Sequence, residues 1–305
     1  MFQEIACLLE GRLRTVKILL LGKNGQVGWE LCRTLAPLAE VMAVDYPEIN
    51  FTEPAGLRKL VAAASPSVVA NAAAYTAVDK AESEPDLCRQ INAVAPGVLA
   101  EAAKKAGALM VHYSTDYIFD GTKTSPYVET DAPNPLGAYG RSKLEGDRAV
   151  RASGADHLIF RLCWVYGARG QNFMLTFQRL AREREKLRVV RDQFGCPTWS
   201  RMIAEATALA LKQVLASADK SAFYGEYHLA ASGQTNWHGF ASRIIELMPD
   251  AERKCRAVEA ITTPEYPTPA KRPVYSVLDC GKLQKIFGLR LPNWETSLRQ
   301  VLDKP

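Results

Sequence analysis

The chain has 305 residues, 48% hydrophobic and 23% charged, with a formal net charge of +5. That composition excludes a disordered, collagen-like or coiled-coil chain, and the length suffices for one large domain or two modest ones with a real core. The small positive balance does not indicate nucleic-acid binding and suits an anionic small molecule.

Residues 1–15 stand apart from the pattern that follows. Glu4 precedes a very short apolar stretch and no basic region opens the chain, so the segment does not read as a secretory signal; it is expected to be an extension outside the fold. From Val16 short apolar runs alternate with helix-length stretches. Strands are expected at 16–21, 41–45, 67–71, 108–114 and 157–160, and helices near 26–36, 55–64, 84–106 and 139–152. This alternation predicts βαβ units, hence a Rossmann-type, doubly wound parallel sheet with helices on both faces. Pro96 is expected to kink or break the third helix. After Arg161 the rhythm loosens into a helix near 172–185, a strand at 187–192, a helix at 199–216, a strand at 226–231, a helix at 236–247, a proline-rich loop at 262–273 and a last helix at 292–303. The expected division is a nucleotide-binding domain over 16–166 and a smaller α/β substrate-binding part built mainly from 167–305, with the chain crossing back near 187–198.

The seven cysteines (Cys7, Cys32, Cys88, Cys163, Cys196, Cys255 and Cys280) are scattered, odd in number and without a C-x-x-C pair. Spare thiols in a reducing compartment are expected, rather than a disulfide framework or a zinc site. No apolar run reaches the roughly 18 residues of a membrane span. The cytoplasm is the expected location.

The first predicted strand runs into Gly22-x-x-Gly25-x-x-Gly28 and then a helix. Glycines at this spacing permit a tight turn and close approach of backbone to a pyrophosphate, while the helix start offers free N–H groups. Asp45 closes the next strand 20 residues after Gly25, where a carboxylate can take both ribose hydroxyls and so favours NAD. Tyr139 and Lys143, four apart on one helix face, can form an acid–base pair in which a neighbouring ammonium lowers the phenol's pKa. Ser114, Thr115 and Asp116 follow a buried strand, at the sheet edge where ligands bind.

These three blocks together resemble the extended short-chain dehydrogenase/reductase family. The stretches NAAAYTAVDKAE (71–82), HYSTDYIFDG (112–121), YGRSKLEGD (139–147) and WVYG (164–167) narrow the resemblance to its dTDP-4-dehydrorhamnose reductase branch. The resemblance implies NADH- or NADPH-dependent reduction of the C4 keto group of dTDP-4-dehydro-β-L-rhamnose, in the synthesis of dTDP-rhamnose for cell-surface polysaccharide such as lipopolysaccharide. It implies that Tyr139 donates the proton, Lys143 supports it and binds the nicotinamide ribose, and Thr115 orients the keto oxygen. It further implies that Gly22, Gly25, Gln26, Val27 and Gly28 hold the pyrophosphate and Asp45 the adenosine ribose. Asn50 and Phe51 would flank adenine, Ala74, Tyr75, Thr76 and Tyr113 would line the cofactor groove, and Thr115, Asp116 and Trp164 would touch the sugar. Trp164 as a core residue, and Arg272 as either a diphosphate partner or a surface arginine, stay open. Some relatives share magnesium across a dimer; Glu30 and Glu295 fall at two such positions, but Arg201 at the third cannot ligate a metal, so two surface glutamates is the favoured reading and a homodimer stays open. Two other readings fit the same motifs: a non-catalytic dinucleotide-binding regulatory subunit, like that of methionine adenosyltransferase, and another sugar-nucleotide epimerase or dehydratase.

Overall fold

Strand β1 (Lys17–Leu21) shows why the apolar runs are continuous. Its residues Ile18 to Leu21 are all fully buried. Ile18 and Leu20 point into one core cluster and Leu19 and Leu21 into another, on opposite faces of the sheet. Each such side chain contributes ~1.5–3 kcal/mol. The computed structural model describes residues 16–303; the extension expected at 1–15 and Cys7 lie outside the described residues.

The other strands are β2 (Glu40–Val44), β3 (Val68–Asn71), β4 (Leu109–Thr115), β5 (His157–Leu162), β6 (Val165–Tyr166), β7 (Lys186–Val190), β8 (Phe194–Gly195), β9 (Thr198–Trp199), β10 (Gly225–His228), β11 (Thr235–Asn236) and β12 (Ala257–Ile261). The main sheet is wholly parallel in the order β2-β1-β3-β4-β5-β10. Helices α1 (Gln26–Leu35) and α2 (Pro54–Ala64) follow the first two strands. Then come α3 (Pro85–Arg89), a π turn (Gln90–Val94), α4 (Ala95–Ala106) and α5 (Ala138–Ala152). The later helices are α6 (Phe173–Glu183), α7 (Ser200–Ala216), α8 (Trp237–Glu246), α9 (Gly281–Phe287) and α10 (Trp294–Leu302). One face of the sheet carries α1, α7 and α9, the other α2, α4 and α5. The strand order reverses between β1 and β3, which opens a crevice at the carboxyl edge.

Two expectations change. Pro96 does not break its helix: a π turn precedes it and Pro96 sits in the first turn of α4. Proline at 96 would clash with the carbonyl of Asn92 in a regular helix, and the wider turn relieves that clash. The return of the chain to the main sheet also lies beyond 187–198. Strand β7 pairs with β12 outside that sheet, whereas α7 packs against its helical layer and β10 joins β5. The apolar run around β7 records a small second sheet. Helix α9 and the two-residue strands β6, β8, β9 and β11 carry too few residues for a periodic signal, and β12 is mostly exposed and so lacks a continuous apolar run.

Candidate functional site

Three structural devices converge on the carboxyl edge of the sheet. The first is the glycine loop. Gly22 has φ +87°, and a Cβ there would lie 2.5 Å from the Ala73 nitrogen; a Cβ on Gly28 would lie 1.9 Å from the Gly22 carbonyl oxygen. Only glycine lets α1 start this close to β1. Helix α1 begins at Gly25 without a side-chain cap, so its first amides remain available. The Asp45 carboxylate holds the loop from the end of β2, accepting from the Asn24 amide at 2.9 Å and the Tyr46 amide at 2.8 Å.

The second device is the turn after β4. Thr115 caps a short helical turn, its hydroxyl accepting from the Tyr117 amide at 3.2 Å and donating to Asp116 Oδ1 at 3.1 Å. Asp116 also accepts from Ser276 Oγ at 2.5 Å and Cys163 Sγ at 3.1 Å. Burial raises Asp116 to about 6 despite these donors.

The third is helix α5. A Cβ on Gly140 would stand 2.2 Å from the Tyr117 carbonyl, so glycine brings the helix start onto the Thr115–Tyr117 turn. That approach places Tyr139 beside Thr115 on the cavity wall. Lys143, one turn on, is buried and donates to the Tyr113 carbonyl at 2.5 Å. The lowering of the Tyr139 pKa expected from Lys143 is absent. Burial pushes the phenol up, the Thr115 hydrogen bond acts against that, and Asp116 adds to the rise; the ammonium is directed to the Tyr113 carbonyl instead. Burial also lowers Lys143 to about 8, opposed by Asp147.

These devices enclose a cavity of about 700 Å³, the size range of small-ligand sites. Of the residues expected at the site, Gly22, Gly25, Gln26, Val27, Asp45, Phe51, Ala74, Thr76, Tyr113, Thr115, Asp116, Tyr139, Lys143 and Trp164 line it. Gly28, Asn50 and Tyr75 do not. Gly28 packs against the loop from behind. Asn50 spends its carbonyl on the Thr52 amide and hydroxyl and its amide on Glu53. The Tyr75 phenol donates to Glu84 at 2.7 Å.

Trp164 adopts φ +43°, a strained backbone for a bulky residue. Its ring stacks on Trp237 with centroids 3.5 Å apart and planes 6° from parallel. Trp237, Tyr117 and Gln171 line the cavity and were missed from sequence. For Trp237 the available signal was Asn236-x-x-Gly239, where Asn236 Oδ1 accepts from the Gly239 amide at 2.7 Å and starts a helix facing the site. Arg272 is neither a free surface arginine nor a lining residue: its guanidinium grips Asp79 at 3.0 and 2.7 Å. That pair ties the proline-rich segment to the sheet domain.

A dinucleotide fits the glycine cradle and the Asp45 carboxylate on these grounds. The magnesium positions do not fit a metal. Glu30 is held by Arg33 at 2.6 Å and Arg201 at 3.5 Å, and Glu295 by Arg243 at 3.5 Å. Among the described residues no group of three or more His, Cys, Asp or Glu is placed to hold a metal, and no helix is long and apolar enough to cross a membrane. The six described cysteines are free.

A profile of the family described as "RmlD substrate binding domain" matches residues 16–305. A dTDP-4-dehydrorhamnose reductase of Burkholderia thailandensis is 50% identical over 284 residues, covering 92% of this chain and 95% of the relative. Two solved structures align with a TM-score of 0.86 each. One is a dTDP-4-dehydrorhamnose reductase from Clostridium acetobutylicum, 37% identical and covering 94% of this chain and 99% of the other. The second, from Bacillus anthracis in complex with NADP, is 33% identical and covers 94% and 98%.

Proposed function

This chain belongs to the RmlD substrate-binding-domain family, and from that premise we propose that it is a dTDP-4-dehydrorhamnose reductase, reducing the C4 keto group of dTDP-4-dehydro-β-L-rhamnose with NADH or NADPH. The observation that carries the reading is the convergence of Thr115, Tyr139 and Lys143 with the glycine loop on one cavity. Gly22, Gly25, Gln26 and Val27 would hold the pyrophosphate and Asp45 the adenosine ribose. When bound, the reduced nicotinamide supplies the hydride. Thr115 holds the keto oxygen by its hydroxyl. Tyr139 donates its phenolic proton to that oxygen as negative charge develops there. Lys143, one helical turn away, would bind the nicotinamide ribose. The Trp164–Trp237 wall offers an apolar face to the sugar. The retained Thr115, Tyr139 and Lys143 favour an enzyme over a regulatory subunit.

The proposed enzyme works in the cytoplasm on a small nucleotide sugar, a location in keeping with the free cysteines and the lack of a membrane-spanning helix among the described residues. Its product would serve polysaccharide synthesis. The test is loss of reduced-nicotinamide absorbance with enzymatically made dTDP-4-dehydrorhamnose, run with NADH and NADPH. Tyr139→Phe should lower kcat by about 100-fold or more with cofactor affinity retained. Full turnover by Tyr139→Phe, or no cofactor consumption by the wild-type protein, would overturn the proposal.

A further inference from the structure

We propose that Asp147 is a positioning residue that keeps the Lys143 ammonium charged; the proposal rests on the reductase reading above. Lys143 and Asp147 are four residues apart on α5 and share the face turned to the sheet. Asp147 and His112 are 0% exposed, and Lys143 and Arg161 2%. Charges this deep persist only with partners.

Each neighbouring element supplies an identifiable group. From β4, Ser114 Oγ donates to Asp147 Oδ2 at 2.8 Å. From β5, Arg161 Nε lies 3.8 Å from that oxygen, but its guanidinium is claimed by Glu226 of β10 at 2.8 Å, which also takes Arg151 of α5 at 2.8 Å. Asp147 Oδ1 has no hydrogen-bond partner and lies 3.9 Å from His112 Nε2. His112 Nε2 in turn is 3.5 Å from Lys143 Nζ. Two further groups interact electrostatically with these residues, the Cys88 thiol of α3 with Lys143 and the Tyr139 phenol of α5 with Asp147. Burial raises the pKa of both, which leaves them neutral.

Asn71 Oδ1 accepts from the Ala73 amide at 3.2 Å, so the Asn71 NH2 group faces His112 Nδ1 at 3.3 Å. His112 Nε2 lies between the Lys143 ammonium, a donor at 3.5 Å, and Asp147 Oδ1 at 3.9 Å. Burial and Lys143 hold the ring neutral. A neutral imidazole adds no competing cation. Asp147 is then the carboxylate that opposes the desolvation of Lys143, consistent with the raising influence it exerts there. Loss of that charge would let Lys143 become neutral at working pH, and the cavity would lose the cation proposed to bind the nicotinamide ribose.

The experiment reads Lys143 directly, in full-length protein labelled with [13Cε]lysine and titrated by NMR, with Lys143→Met assigning the signal. The wild-type midpoint is expected near 8. Asp147→Asn should lower it by about one pH unit or more, and Asp147→Glu should restore it. The alkaline limb of the kcat/KM profile should move down by the same amount in Asp147→Asn and return in Asp147→Glu. An unchanged Lys143 midpoint in folded Asp147→Asn overturns the proposal. The wild-type protein gives a second readout independent of that variant's folding. Acidification protonates Asp147 near 6 and should move the Lys143 signal with the same midpoint. A Lys143 signal flat across that range also overturns the coupling. Failure of the wild-type protein to reduce the keto sugar nucleotide would instead sink the reductase reading, while the NMR midpoints still decide the Lys143–Asp147 coupling.

Discussion

Gly28→Ala tests the cofactor cradle where its geometry leaves least room. The added Cβ would lie 1.9 Å from the Gly22 carbonyl oxygen and 2.7 Å from its carbon, roughly 1.5 Å inside ordinary contact. Both partners are backbone, so no rotamer change relieves the overlap. Either α1 lifts from β1 or the loop at Gly22 moves into the cavity. Overpacking of this kind costs ~1–3 kcal/mol, and displacement of the loop should raise the NADH Kd about tenfold or more, ~1.4 kcal/mol. The assay is fluorescence titration with NADH beside denaturant unfolding. Gly107→Ala is the control: its Cβ meets nothing within 4 Å, but φ +66° strains the backbone by ~1–2 kcal/mol. It should lose comparable stability without loss of NADH affinity. Wild-type NADH affinity in Gly28→Ala, or equal weakening in Gly107→Ala, would refute the close-packing argument.

Asp45→Asn removes the negative charge at the end of β2 while keeping one acceptor for the loop amides; the NADPH KM should fall several-fold relative to that for NADH, ~1 kcal/mol, measured in parallel steady-state assays. Trp237→Ala strips the partner stacked 3.5 Å from Trp164; the KM for the sugar nucleotide should rise about tenfold while the NADH Kd stays within about twofold, a split that a general folding defect would not give. His228 is buried neutral, its pKa lowered to about 3 by burial and by Arg161. Between about 6.5 and 3 the unfolded chain binds a proton there that the folded chain does not, so this residue's contribution makes stability fall as pH falls through that window. His228→Gln should flatten the slope of unfolding free energy by up to about 1.4 kcal/mol per pH unit there, read from urea unfolding across pH.

Much of the architecture was legible because its signals are local. Continuous apolar runs marked strands buried on both faces, and strand-glycine-helix spacing marked the cradle. The Tyr139–Lys143 spacing marked a shared helix face, and the structure sets that face on the cavity. The state of these groups was not legible. A lysine four residues from a tyrosine suggested an acidified phenol, yet burial raises Tyr139 because desolvation depends on everything packed around it. Asn50 looked available until its turn consumed both ends of its amide.

What the sequence by itself determined was the alternation of strands and helices and the placement of glycines, threonine, tyrosine and lysine at element ends, since periodicity and turn chemistry act over a few residues. Only the tertiary structure decided that β10 completes the main sheet, that Trp237 stacks on Trp164, and that Arg272 grips Asp79 rather than standing free. It also decided that His112 lies between Lys143 and Asp147. These pairs are separated by tens to nearly two hundred residues, and such contacts arise from sheet order and layer packing, which no local spacing encodes.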